Sequence, residues 1–222
     1  RALVSPPASR HLGTMPDGAD ATRIEVISEI AQVDAAAWDA CAGDDDPFVS
    51  HAFLDALEQS GSAVGDRGWL PQHLVARSAD GRVFGAAPLY LKSHSYGEYV
   101  FDWGWADAYE RAGGRYYPKL QCAVPFTPVT GPRLLVNQAL PADTRDSVAD
   151  ALIAGLEEVA RRHSVSSLHV TFPTRGERDR LAEADFLPRM GLQYHLQNPG
   201  YQSFDDFLAA LQSRKRKQIK RE

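Results

Sequence analysis

Residues 88–135 read PLYLKSHSYGEYVFDWGWADAYERAGGRYYPKLQCAVPFTPVTGPRLL. The stretch sets Trp103, Trp105 and a dense run of Tyr and Phe among His94, Glu98, Asp102, Asp107, Arg111, Arg115 and Lys119. Aromatic rings bury large areas and carry polar tips. Mixed this closely with titratable groups, they suit the wall of a cleft better than an ordinary core strand. Were the segment extended, His94, Glu98 and Asp102 would share one face, because strand side chains alternate with period two.

Upstream, Arg23–Ser28 alternates and is rich in β-branched residues, which predicts a strand. Val33–Ala42 predicts a short helix carrying Trp38. Ser50 is placed to N-cap the next helix, whose apolar face holds Phe53, Leu54 and Leu57. Leu70–Arg77 and Val83–Lys92 flank Ala79-Asp80-Gly81-Arg82 and read as two strands of a hairpin. Trp105–Arg111 reads as a short helix, and Lys119–Val124 and Pro132–Val136 as strands. Asp143–His163 is the clearest helix, with Val148, Leu152, Ile153, Leu156 and Val159 in one stripe and three basic residues at its C-terminal end. Then follow a strand at Ser166–Phe172, a helix at Arg175–Glu183, short strands at Phe186–Met190 and Leu192–Gln197, and a long amphipathic helix over Ser203–Glu222. Strands alternating with helices predict a mixed α/β sheet.

The 222 residues fit one domain with or without an appendage, and 44% apolar and 24% charged residues are those of a globular chain. No apolar run approaches the length of a membrane span, and the N-terminus lacks the apolar core of a signal peptide. Cys41 and Cys122 lie far apart without metal-type spacing, so they read as reduced thiols of a cytoplasmic protein. No His/Cys/carboxylate pattern predicts a metal site. Net charge is −5, yet six basic residues crowd into the last nine positions. The acidic body argues against broad nucleic-acid binding, whereas the basic end can meet phosphate locally. Residues 1–20 read as a disordered leader.

The order P-x-Y-x-K-x-H-S-x-G-E-Y-x-F-D-W-x-W-A-x-A-Y at 88–109, R-A-G at 111–113, Y-Y-P-K-L at 116–120 and P-F-T-P-V-T-G-P-R-L-L at 125–135 resembles the FemAB-like, peptidoglycan-biosynthesis-related predicted N-acyltransferases of the GNAT superfamily. The resemblance runs from about Asp46 to Glu222. It implies a GNAT-like α/β domain over residues 21–202, a mixed central sheet with helices on both faces. It also implies that residues 203–222 lead into a second, similar half that is missing here. The implied activity is transfer of an acyl or aminoacyl group to an amine, with a link to peptidoglycan or the cell envelope. The alternative is a non-catalytic scaffold or acceptor-binding half of a two-domain acyltransferase.

Such chemistry needs a base for the amine proton and donors for the oxyanion. Glu98 or Asp102 is the candidate base or acceptor-orienting carboxylate, with His94 as hydrogen-bond partner. The competing reading pairs these carboxylates with Arg111, Arg115 or Lys119 to hold a loop. Lys119 and Arg111 are candidate anion-binding groups, and Trp103, Trp105, Tyr116 and Tyr117 candidate walls. Asp107 and Arg111 suit a plain i,i+4 pair. The donor is acyl-CoA or aminoacyl-tRNA. In ordinary acetyl-CoA enzymes a glycine-rich loop cradles the pyrophosphate. The corresponding Asn137–Asp143 has no glycine, which argues against that cradle here. On the last helix, Arg214, Lys217 and Arg221 share a face and are candidates to clamp phosphate, including that of tRNA.

Overall fold

The structure, a computed structural model, describes residues 22–222 and the backbone of residues 10–14. Apart from that short segment, the expected leader lies outside the described residues. Contacts divide the chain into a larger unit ending at Pro188 and a smaller one, Arg189–Glu222.

Strands β1 (Arg10–Thr14) and β2 (Arg23–Ile27) precede helices α1 (Ala35–Ala42) and α2 (His51–Gln59). Four strands follow: β3 (Trp69–Pro71), β4 (His73–Arg77), β5 (Val83–Ala87) and β6 (Leu89–Lys92). Helix α3 (Trp103–Arg111) leads to β7 (Lys119–Cys122) and β8 (Leu135–Val136). Helix α4 (Ala142–His163), β9 (Leu168–Val170) and α5 (Arg175–Glu183) complete the larger unit. The smaller unit holds α6 (Phe204–Ala210) and α7 (Ser213–Ile219). The expected cap forms, Ser50 accepting from the Phe53 N–H, and Asp34 caps α1 in the same way through Ala37.

The α/β class is as expected, with the strands shared between two sheets. One is antiparallel, in the order β1-β2-β4-β5-β8. The other runs β3-β6-β7-β9 and is mixed, because β7 and β9 are parallel. Arg10–Thr14, inside the expected leader, is a strand because the outer edge of β2 is open to pairing.

The two hairpin strands expected at 70–77 and 83–92 each break once. Their first and last parts, β3 and β6, pair in one sheet, and their inner parts, β4 and β5, pair in the other. The breaks face each other at Gln72 and Pro88. Pro88 has no N–H to give a ladder. Across the break the Gln72 N–H still reaches the Leu89 carbonyl at 2.8 Å. The Leu89 N–H donates instead to His73 Nδ1 at 3.1 Å. A side chain thus replaces a backbone carbonyl where the sheets part. With Nδ1 accepting, the ring proton lies on Nε2, 2.7 Å from Glu58 Oε1. Glu58 Oε2 in turn accepts from the Ile30 N–H at 2.9 Å.

The five-stranded sheet is packed on both faces. Leu74, Ala76, Phe84 and Ala87 join the buried stripe of α4, including Val148, Leu152, Leu156 and Val159. Their strand neighbours Val75, Val83 and Ala86 face the other way, onto Trp38, Cys41, Val49 and Leu54 from the α1–α2 side. The period-two alternation of β4 therefore feeds two cores, and β5 feeds the same two across a register shift in its pairing beside Ala76 and Arg77.

Three expectations are corrected. Residues 186–190 and 192–197 contain no strand, and Leu187, Leu192, Tyr194 and Leu196 are exposed. The long helix over 203–222 is two short ones, because Leu211 turns to an extended conformation at φ −83°, ψ 151°. Arg216 stabilises the break by donating to the carbonyls of Leu208, Ala209 and Leu211 at 2.8–2.9 Å. Finally, α7 ends at Ile219, so Arg221 lies beyond it and the shared basic face reduces to Arg214 and Lys217.

Leu152 is fully buried at the centre of the α4 stripe. Leu152→Ala is expected to lower the unfolding free energy by about 2–5 kcal/mol, measured by urea denaturation.

Candidate functional site

The register of β6 and β7 sets Lys92 directly opposite Lys119, and both are fully buried. Like charges at a paired position repel, and a buried ammonium needs a partner. The 93–102 segment supplies two carboxylates. Lys119 Nζ lies 2.7 Å from Glu98 Oε2 and 2.5 Å from Asp102 Oδ2, and donates to Ser95 Oγ at 2.8 Å. Lys92 Nζ is 3.8 Å from Glu98 Oε1, donates to the Tyr96 carbonyl at 3.3 Å, and stands 3.4 Å from the centre of the Trp69 ring. Tyr116 donates its hydroxyl to Asp102 at 2.7 Å, and Tyr117 shares a 2.8 Å hydrogen bond with Ser95.

This geometry moves the acid–base equilibria. Burial drives the Lys92 ammonium down, against the pull of Glu98, to about 7. Burial also raises Glu98. For Asp102 burial acts upward, but hydrogen bonds from Lys119, Ser95 and Tyr116 prevail and hold it at about 2. Burial, then the bond to Asp102, raises the Tyr116 phenol.

Between the two carboxylates the backbone is strained. Tyr99 and Phe101 adopt φ of 58° and 54°, a left-handed conformation that costs an L residue. The ion pairs at 98 and 102 bracket that strain and hold it. The start of the segment is pinned as well. His94 Nδ1 accepts from the Tyr96 N–H at 3.2 Å, and the ring also bonds the backbone of Arg67. Gly68, at φ 75°, makes room for it: a Cβ there would lie 2.3 Å from His94 Nε2. Gly97, at φ 79°, likewise admits the Phe126 ring, which a Cβ would meet at 2.6 Å.

The pinned segment forms one wall of a cleft of about 480 Å³. His94, Tyr96, Trp69 and Phe126 line it together with Leu57, Ser60, Gly61, Ser62 and Arg67. Burial and the nearby Lys92 charge depress the His94 pKa, so its ring is neutral at pH 7.

The structure brings Glu98, Asp102, Tyr116, Tyr117 and Lys119 together. Glu98 and Asp102 are 4% and 1% exposed and do not line the cleft. Their partner is Lys119. Arg111 pairs with Asp107 at 2.9 Å in an exposed i,i+4 bridge, away from this cluster. His94 reaches the cleft but bonds backbone rather than either carboxylate. Trp103 and Trp105 are more than half exposed on α3. Arg214, Lys217 and Arg221 belong to the smaller unit and are exposed or nearly so. Sequence reading missed Lys92, Ser95, Trp69 and Arg67. The signal for Lys92 was a lysine ending the apolar run Ala86–Leu91, too far into a core strand to reach water. Among the described residues no group of three or more His, Cys, Asp or Glu side chains could hold a metal ion, and no helix is long and apolar enough to cross a membrane.

The family model of FemAB-like proteins, described as peptidoglycan biosynthesis/recognition, matches residues 29–222. The chain belongs to this family. Among solved structures it is similar to the ribosomal-protein-alanine N-acetyltransferase from Brucella melitensis biovar Abortus 2308, at 18% identity and TM-score 0.45 over 80% of this chain and 99% of that one. It is also similar to an aminoglycoside antibiotic 6'-N-acetyltransferase from Acinetobacter baumannii, at 15% identity and TM-score 0.43 over 81% and 99%. No curated protein matches it.

Lys119→Met leaves two buried carboxylates short of a cation, so we expect a loss of about 3–5 kcal/mol in urea denaturation at pH 7. Asp102 is held below its ordinary 3.8, so the stability it contributes is complete above that pH and is lost as pH falls toward 2. Asp102→Asn should therefore flatten the acid limb of a stability–pH profile in that window, leaving its shape above pH 5 unchanged.

Proposed function

We propose that this protein transfers an acyl or aminoacyl group to the amine of a peptidoglycan precursor or related cell-envelope compound. The amine nitrogen attacks the donor carbonyl and gives up a proton, and the donor's thiol or hydroxyl leaves. The observation that carries this reading is the cleft wall at 94–97, which buried charges fix in place within a chain of the FemAB-like family. A reacting amine must be held to within a fraction of an ångström, and rigid walls do this. Glu98 and Asp102 then serve as orienting carboxylates behind the wall, fixing the loop through Lys119 rather than touching the amine. We read the site of action as the cytoplasm, where two buried thiols, Cys41 and Cys122, stay reduced.

The donor is acyl-CoA or aminoacyl-tRNA, and the loop after β8 favours the second. Its Ala139 N–H is taken by Asn137 Oδ1 at 2.9 Å and its Leu140 N–H by the Asn137 carbonyl at 3.2 Å. Few backbone donors are left to receive a pyrophosphate. Arg214 and Lys217 would meet the phosphates of a tRNA. The same loop favours the second reading, in which this chain binds the acceptor and a second half holds the donor.

The test is amide formation, followed by mass spectrometry, with acyl-CoA and aminoacyl-tRNA offered in parallel to a precursor amine. Product is expected with aminoacyl-tRNA, and His94→Ala should lower kcat/KM about tenfold or more by freeing the wall. Absence of product with both donors would overturn the reading. Calorimetry with acetyl-CoA should give no binding in the micromolar range.

A further inference from the structure

Nine residues line the cleft, and Arg67 is the only one among them that is charged at pH 7. No acidic residue lines it. Arg67 is exposed, and no ion pair with it occurs among the described residues. Seven other arginines of the larger unit, Arg77, Arg82, Arg111, Arg161, Arg162, Arg178 and Arg180, hold carboxylates. The neighbouring surface has other acids to offer, such as Asp66, yet the guanidinium stands at the cleft without one.

The rest of the cleft is aromatic and hydroxylic. Trp69 and Phe126 pack at 5.6 Å between ring centres. Trp69 lines the cleft, and its indole N–H has no acceptor among the described residues. Ser60 and Ser62, also in the lining, bond each other at 2.9 Å. One fixed cation beside rings and hydroxyls suits a ligand with a single anionic group and a compact, partly apolar body. A guanidinium grips a carboxylate through two parallel N–H···O bonds. A diphosphate would bring further charges for which the cleft has no cations.

We infer that this cleft recognises the free carboxylate of an amino-acid or short-peptide moiety in the substrate, with Arg67 as the residue that sets this specificity. The inference rests on the acyl-transfer reading for its place in a reaction, but the binding itself can be measured without turnover. The amine and the carboxylate then lie on one small substrate, and Arg67 fixes the distance between the cleft floor and the reacting nitrogen.

The probe is N-acetyl-alanyl-alanine, with its C-terminal amide as the uncharged control and a uridine-diphosphate sugar as the phosphate arm. Binding to the full chain is read by calorimetry at two salt concentrations. The acid is expected to bind at least ten times more tightly than the amide. Arg67→Gln should reduce the acid to the level of the amide, and Arg67→Lys should recover part of the loss, because it restores charge without the fork. Circular dichroism on both variants verifies folding, and an exposed arginine leaves the core untouched. Equal binding of acid and amide, no binding of either, or Arg67-dependent binding of the phosphate arm alone would overturn the inference. Amide formation that ignores Arg67→Gln would overturn it while leaving the acyl-transfer reading intact. Arg67-dependent binding of the acid without amide formation by either donor would do the reverse.

Discussion

Two lysines meet across a pair of strands in the interior of this protein, and much of the site follows from that collision. Lys92 and Lys119 occupy one register position of β6 and β7 with no water to screen them. Left alone they would force the strands apart or shed a proton. Glu98 and Asp102 arrive from the loop between the strands and resolve the conflict. To deliver both, the chain must pass through two left-handed residues, Tyr99 and Phe101. The electrostatic demand of the sheet thus dictates the path of the loop, and the loop dictates one wall of the cleft.

A buried ion-pair network is a weak source of net stability, because desolvation offsets much of the attraction. Its value lies in uniqueness. Each carboxylate meets Lys119 through one oxygen, and the other oxygen of each is buried without a hydrogen-bond donor among the described residues, so few other loop paths can hold both. Lys92 is the least settled member, since its ammonium is held near neutrality in acidity while it also sits on the Trp69 ring. Trp69 is shared between this network and the cleft, so the charge state of the interior and the shape of the cleft are joined through one indole.

Much of this was legible in the chain. The helix stripe at 143–163, the caps at Ser50 and the strand order around the hairpin follow from local patterning that tertiary contacts did not override. The grouping of Glu98, Asp102, Tyr116, Tyr117 and Lys119 followed from their density. The register that opposes Lys92 to Lys119 did not, because cross-strand pairing is a long-range property that no local window encodes. Nor did the division of the hairpin between two sheets. Pro88 hinted at an interruption, but the substitution of an imidazole for a carbonyl at His73 leaves no pattern in the sequence. The strands expected at 186–197 failed for a complementary reason: alternation describes a face and does not by itself supply a partner strand. The break at Leu211 depends on Arg216 folding back, a contact of charge with backbone that amphipathic spacing does not register.

Helix α2 ends by serving two masters. Glu58 in its last turn holds the His73 ring that joins the two sheets, and Leu57, one residue earlier, lines the cleft together with Ser60 just beyond the helix. Architecture and ligand choice are therefore inherited through the same few residues. A lineage that reshaped this end of α2 to take a new substrate would also have to preserve the angle between its sheets.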